Sequence, residues 1–453
     1  MTLPPVALYH APPTEATAIR VALLAPYAGT NLGDAAIQAA AIENIRRRHP
    51  RGLISGITLN PQLTAERHGI PCFPIDARAL EFASRLQGDR EGSERASLGA
   101  RARAFAKKVP VVGPALRVAA RVLRTSRREV AHLVQGLRFA RRLDAIIVAG
   151  SGQLDDEWGG AWAHPYALFK WALLSRIAGA QFVVLSVGAG SLRNSLSRWF
   201  VRCALRLACY RSYRDQGSKA LLRDLPFTRD DRCWPDLAFS LPREEPRQSA
   251  RRGNEGLRCV GVSPIAYGHP QHWPTADPPA HERYMRELTE FVAWLASQGR
   301  QVVLFATGGV DHLIVRDLLT RLGARAAGVR VARDATLAEL LAELDGVDGV
   351  VASRLHGVIL AHVLGKPALA VSFDRKVSVH MKEIGMARYC LDLQVVDRAA
   401  LSHAFAQLEQ EARSVRAALD DSRRAMREAL DLQYDAVLRL LLRHGSRPAR
   451  AWR

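Results

Sequence analysis

Ser353-Arg354-Leu355-His356-Gly357 sits where an apolar run ends and a helical pattern begins. Gly349–Ala352 reads as a buried strand and Val358–Leu364 as a helix stopped by Gly365 and Pro367. Ala368–Phe373 reads as the next strand. Arginine presents a planar fork to carboxylates and phosphates, and helix starts favour anions. Histidine carries a proton near neutral pH. An arginine and a histidine at one tight turn therefore point to anion binding beside proton transfer. The plainer reading of His356 is a residue that caps its own helix. His362, further along that helix, reads as core or as support behind the turn.

Other strand ends carry polar residues too. "YAGTNLGDAAI" offers Gly29, Thr30, Asn31, Gly33 and Asp34 at the opening of a helix. Either Asp34 caps that helix, or Asn31 and the free amides grip a polar ligand. "VAGSGQLDDEWGG" supplies Ser151 and Gln153 in a glycine-rich turn, followed by Asp155 and Asp156, and "SVGAGSLRNS" is a third such turn. Neither a Walker loop nor a helix-opening GxGxxG is present. Arg214-Asp215 follows the short strand in "CYRSYRDQGSKALL", as a ligand-binding arginine or as a surface ion pair. Asp236, Asp311 and His312 read as strand-end polar groups or helix caps. With no HExxH and no paired cysteines, neither a metal nor a cofactor is expected.

These turns need a scaffold, and the sequence alternates strand and helix almost throughout. Ile19–Pro26, Asp144–Gly150 and Ala180–Gly188 read as strands of a first set, with helices near Asp34–Arg48, Tyr166–Ala178 and Ser195–Ala208. The Pro- and Arg-rich stretch Leu241–Gly256 interrupts the pattern. Alternation then restarts with "LRCVGVSPI", the helix Ala280–Ser297, Gln301–Gly308, the helix Asp311–Leu322, "GVRVA" and the helix Leu337–Leu344. Two such runs joined by a hinge predict an α/β protein of two Rossmann-like domains facing across a cleft. The expected divisions are an N-terminal domain over 1–240 with a basic helical insertion at 90–142, a hinge at 241–256, and a C-terminal domain over 257–396. C-terminal helices and a basic tail fill 397–453. An eight-stranded barrel fits less well, because of the insertion and the hinge.

The 453 residues, 48% of them hydrophobic, suit two or three domains with proper cores. Six cysteines without a metal or disulfide pattern read as reduced, and no charged start followed by an apolar run marks a signal peptide. The expectation is a cytoplasmic protein. Net charge is +20, and Arg95–Arg142 holds thirteen Lys or Arg against the single acid Glu129. That segment reads as a solvated face, or as peripheral contact with anionic membrane at the inner face of the cell membrane. Nucleic acid is a poor match, since no aromatic residues interleave with the charges.

Taken together, "NLGDAAI", "AIIVAGSGQLDD", "SVGAGSL", "YRSYRDQGS", "PDLAF" and above all "VVASRLHGVILAHVLGKPALAVSFDRKV" resemble the polysaccharide pyruvyl transferase family, over roughly Arg20 to Leu393. Gly150-Ser151-Gly152 stands where that family is expected to carry three glycines. The resemblance implies a GT-B-like enzyme that moves pyruvate from phosphoenolpyruvate onto two hydroxyls of a cell-surface glycan or its precursor, such as a lipid-linked saccharide, forming a ketal. It implies Arg354, Leu355, Arg214 and Lys376 as the phosphoenolpyruvate site and His356 as the catalytic acid. Asn31, Asp34, Ser151 and Gln153 become acceptor-side or loop candidates. Lys376 has a plainer reading, as a solvated loop lysine. A glycosyltransferase using a sugar nucleotide on the same architecture is the competing enzyme, and a peripheral membrane scaffold the non-enzymatic alternative.

Overall fold

The computed structural model describes residues 18–26, 29, 31–77, 79, 112–157, 159–223, 231–242, 256–273 and 275–445. Runs such as AIIVA and ALAVS are buried along their whole length, as strands of a parallel sheet covered on both faces must be. The first domain runs β1 (Arg20–Leu24), α1 (Leu32–Arg48), β2 (Leu53–Thr58), α2 (Pro61–His68), β3 (Cys72–Pro74), α3 (Val112–Ala140) and β4 (Ala145–Ala149). It continues with α4 (His164–Ala178), β5 (Gln181–Val187), α5 (Ser195–Leu207), β6 (Tyr210–Tyr213), α6 (Gln216–Leu221) and β7 (Arg232–Cys233). Its strand order is β3-β2-β1-β4-β5-β6-β7, with every pairing parallel.

The second domain repeats the plan. It contains β8 (Cys259–Ser263), α7 (Pro278–Ser297), β9 (Gln301–Leu304), α8 (Asp311–Leu322), β10 (Val329–Val331) and α9 (Leu337–Asp345). β11 (Gly349–Ala352), α10 (Leu355–Val363), β12 (Ala368–Ser372), α11 (Arg375–Glu383) and β13 (Cys390–Asp392) follow. Its parallel order is β10-β9-β8-β11-β12-β13. Both sheets reverse direction beside their first strand, at β1/β4 and β8/β11. Those switch points open the crevices where such sheets bind ligands.

The domains are pinned together beside these crevices. The Leu32 amide at the start of α1 donates to the Thr307 carbonyl beyond β9, at 2.8 Å. α1 packs on α10, so one apolar core runs through both domains on that side. After α12 (Arg398–Gln410), the long helix α13 (Ala412–Gly445) returns to the first domain. There Asp431 pairs with Arg48 at 2.9 Å, and the Gln433 side chain donates to Ser212 Oγ at 2.8 Å.

Several elements differ from the sequence expectation. β2, α2, β3, β7, α11 and β13 were not anticipated, because these segments are short or carry polar residues between their apolar ones. α10 starts at Leu355 rather than Val358, and α1 at Leu32 rather than Asp34. Of the basic stretch, 90–111 lies outside the described residues and 112–140 forms α3. The hinge positions 243–255 and the tail beyond 445 also lie outside them.

Candidate active site

A cavity of about 460 Å³ opens between the carboxyl ends of the two sheets. The first domain lines it with Asn31 and Asp34 beyond β1, Ser151 and Asp155 beyond β4, and Arg214 beyond β6. The second contributes Arg354, Leu355 and His356 beyond β11, and Asp374 and Lys376 beyond β12. Of the nine residues put forward for the site, His356, Arg354, Leu355, Arg214, Lys376, Asn31, Asp34 and Ser151 line the cavity and Gln153 does not; Asp156, Asp215, Asp236, Asp311, His312 and His362 also lie outside the lining. The Gln153 amide nitrogen donates to the carbonyls of Leu24, Ala149 and Gly150 at 3.0–3.3 Å, and its side-chain oxygen faces His164 Nε2 at 3.2 Å. Gln153 therefore braces the loop.

Arg354 is the N-cap of α10, and no side chain caps that helix end. The orphan amides of the first turn are left to the cavity, where Arg354, Leu355 and His356 all lie, an arrangement suited to an anion. Arg354 does not hang free. Its Nε and Nη2 both bond the carboxylate of fully buried Asp311, the latter at 3.0 Å. Asp311 also accepts from the Ala266 amide, so the guanidinium plane is fixed from behind. Nothing local in the sequence signals this pairing, since 43 residues separate the partners.

Arg214 is buried between Asp215 and Asp236, at 3.3 and 3.4 Å, and its Nη2 has no hydrogen-bond partner. A β-carbon at Gly188 would meet that nitrogen at 2.6 Å, so glycine there makes room for the guanidinium. Lys376 belongs to the first turn of α11 and is not in a loop. Asp374 caps this helix through the Lys376 amide at 2.9 Å, and Lys376 Nζ reaches Asp155 across the cleft at 3.6 Å. Burial raises the Asp155 carboxyl above its usual range, while Lys376 draws it back.

The His356 ring lies against Gly33, where a β-carbon would come within 2.0 Å of Cγ. Nε2 is shielded from water and has no partner. Burial pushes the imidazole below its ordinary pKa; Asp236 and Asp34 pull it up, and Arg214 and Arg354 push it further down. The ring is thus neutral near pH 7 until an added negative charge favours its proton. His362 and His380 form a neutral pair behind it, Nδ1 to Nε2 at 3.0 Å. On the opposite wall Asn31 caps α1 by accepting from Gly33 at 3.0 Å, and Ser151 Oγ donates to Asp34 at 2.6 Å. Ser151 has φ +60°, a left-handed conformation that glycine adopts without strain.

The family model for polysaccharide pyruvyl transferase matches residues 31–375, a span that holds nearly the whole cavity lining. The chain belongs to the polysaccharide pyruvyl transferase family. It is accordingly a transferase. No curated protein sequence matches it. Among solved structures, this pyruvyl transferase family member is similar to a glycosyltransferase from Rickettsia africae (9% identity, 95% of this chain and 100% of that one, TM-score 0.52). A UDP-N-acetylglucosamine 2-epimerase (12%, 96% and 99%, TM-score 0.52) and a UDP-glucosyltransferase from Polygonum tinctorium (11%, 95% and 100%, TM-score 0.52) share the architecture. At such identities the likeness is one of fold: two Rossmann-like domains in a GT-B-like arrangement. Among the described residues no group of three His, Cys, Asp or Glu side chains suits a metal ion, and no helix is long and apolar enough to cross a membrane.

Proposed function

We propose that this protein transfers pyruvate from phosphoenolpyruvate onto two hydroxyls of a saccharide, forming a ketal. The observation that carries the reading is the convergence of Arg354, Arg214, Lys376 and His356 on one cavity at an uncapped helix start. Phosphoenolpyruvate has a phosphate and a carboxylate a few ångströms apart, and two arginine forks suit that pair. Arg354, already held by Asp311, and Arg214, with a donor still to spare, bind the anions. Lys376 adds charge from the α11 side.

The bound phosphate raises the pKa of His356, which then delivers a proton to the methylene carbon of the donor. The neighbouring carbon becomes cationic, and the first sugar hydroxyl adds to it and surrenders its proton, restoring His356. The second hydroxyl then displaces the phosphate by breaking the carbon–oxygen bond, and its proton leaves as hydrogen phosphate. One proton ends on the new methyl group and one on phosphate, so the exchange balances. Asp34 and Ser151, on the facing wall, are the groups to orient the hydroxyls.

A thermal-shift comparison of phosphoenolpyruvate with UDP- and GDP-sugars tests the donor. Stabilisation by phosphoenolpyruvate alone is expected. Stabilisation by a sugar nucleotide alone would transfer the cavity to the glycosyltransferase reading, and no shift with any of them would leave the scaffold reading.

A further inference from the structure

We propose that the outer face of α3, α4 and α5 docks on an anionic lipid surface beside the cavity. These helices cover one side of the first sheet, with α4 packed between the other two. Large apolar groups stay in water there: Trp162 is 67% exposed, Trp199 50% and Ile177 57%, with Leu173, Val130 and Val134 exposed as well. They are not scattered. Phe169, Leu173 and Ile177 follow one another at i, i+4 spacing along α4. The Trp162 ring meets Phe200 edge-on and the Trp199 ring is tilted against it, at ring-centroid distances of 5.4 and 5.2 Å. A soluble surface seldom keeps so much apolar area together without a partner.

The charge around this patch identifies the partner. Over 126–142, 164–178 and 193–207 the sequence carries ten Arg, besides buried Lys170 and the one acid, Glu129, which pair with each other. That acid is turned inward, bonding Tyr166 and Lys170 at 2.9 and 3.0 Å. Exposed tryptophans on helices that also expose Arg176, Arg198 and Arg206 match the boundary between anionic headgroups and acyl chains. An acidic protein would satisfy the arginines but leaves two half-exposed indoles with no particular role, so lipid is the occupant chosen.

The patch is also placed for use. His164 and Ala167, in the first turn of α4, line the cavity, whereas Trp162 lies just outside it and the rest of α4 leads away along the patch. A saccharide carried on a membrane lipid would meet the cavity mouth while the protein rests on these helices. The docking stands on the surface itself; its link to a lipid-borne acceptor rests on the function proposed above.

Sedimentation of the full chain with phosphatidylcholine vesicles, with and without phosphatidylglycerol, tests it. Binding should need phosphatidylglycerol and weaken as salt rises. R176E/R206E alters exposed side chains and should leave the melting temperature nearly unchanged, whereas W162S/W199S also removes the ring contacts to Phe200 and should lower it modestly; each should weaken binding at least about tenfold. Equal binding to both vesicle types, binding to neither, or two variants that bind like the parent would overturn the proposal. So would light scattering showing that the tryptophan variant splits a dimer, since the face would then join two copies of the chain. A phosphoenolpyruvate thermal shift on the same samples separates the two claims. A shift without vesicle binding removes only the docking, and vesicle binding without a shift removes only the donor assignment.

Discussion

Gly33 in the first domain and His356 in the second touch so closely that a β-carbon on Gly33 would lie 2.0 Å from Cγ and 2.1 Å from Nδ1. The atoms it would strike are near the root of the histidine side chain, which cannot swing aside without moving α10. Glycine inside a helix ordinarily costs about 1 kcal/mol relative to alanine. Here Gly33→Ala should do the reverse of stabilising: the melting temperature should fall and turnover should drop by roughly 10²-fold as the imidazole is displaced. A variant as active as the parent would show that the position of His356 is irrelevant to the reaction.

His356 itself is tested by separating binding from turnover. His356→Gln keeps a hydrogen-bond donor but delivers no proton. Phosphoenolpyruvate affinity, by calorimetry, should stay within a few-fold, while phosphate release falls by roughly 10²–10⁴. The pH profiles carry a sign as well. Burial lowers the pKa of the free histidine, so kcat/KM should decline as pH rises through a value below the ordinary imidazole range. In the donor complex the phosphate restores the proton, and the decline in kcat should come at higher pH. Coincident profiles would remove His356 as the acid.

What was legible in the sequence follows from how local its cause is. The strand–turn–helix around Arg354 and His356 could be read because each strand is an unbroken apolar run and Gly365-Lys366-Pro367 stops the helix. The α11 helix was missed because "RKVSVHMKE" buries little beyond Val377 and Met381, which made Lys376 look like a loop residue. Gln153 reads from its glycine neighbours as an acceptor-side or loop residue; only the fold reveals the three carbonyls it braces. Asp311 read as a helix cap, since nothing in the sequence brings it to Arg354. The cleft was expected from the two βα runs, but its pinning by Gly33 and Leu32 depends on contacts between the domains.

The Arg354–Asp311 pair divides charge from geometry. Asp311→Asn keeps the shape but loses the charged acceptor, a hydrogen bond of about 1.5–3 kcal/mol. The apparent KM for phosphoenolpyruvate should rise at least tenfold with a smaller change in kcat, because Arg354 still stands in the cavity but is no longer oriented. Arg354→Lys and Arg214→Lys should also weaken donor binding tenfold or more, since the fork is lost while the charge stays. Donor affinities within twofold of the parent would take these arginines out of the clamp.

Stability should fall on the acid side of neutrality. Burial lowers both His164 and His380 to about 4. Between that value and the unfolded pKa near 6.5 the unfolded chain binds more protons than the folded one, so stability rises with pH across this window and is fully present above it. Melting temperatures should be flat near pH 7 to 8 and decline steadily from about pH 6.5 downward. His380→Gln removes one of these groups and should flatten the decline, whatever it does to the plateau. An unchanged slope would mean that His380 contributes nothing to it.

Ser151 separates backbone strain from a side-chain bond. At φ +60° it carries a conformational cost of about 1 kcal/mol that glycine avoids, yet its Oγ donates to Asp34 at 2.6 Å. Ser151→Ala keeps the strain and loses the bond, whereas Ser151→Gly loses both. Denaturant titration should therefore find Ser151→Ala the least stable of the three, with Ser151→Gly recovering about 1 kcal/mol over it. If Asp34 orients an acceptor hydroxyl, both variants should lose activity by a similar factor, because both release its carboxylate. Activity that recovers with stability in Ser151→Gly would instead tie the defect to the backbone and relieve the Ser151–Asp34 bond of any part in catalysis.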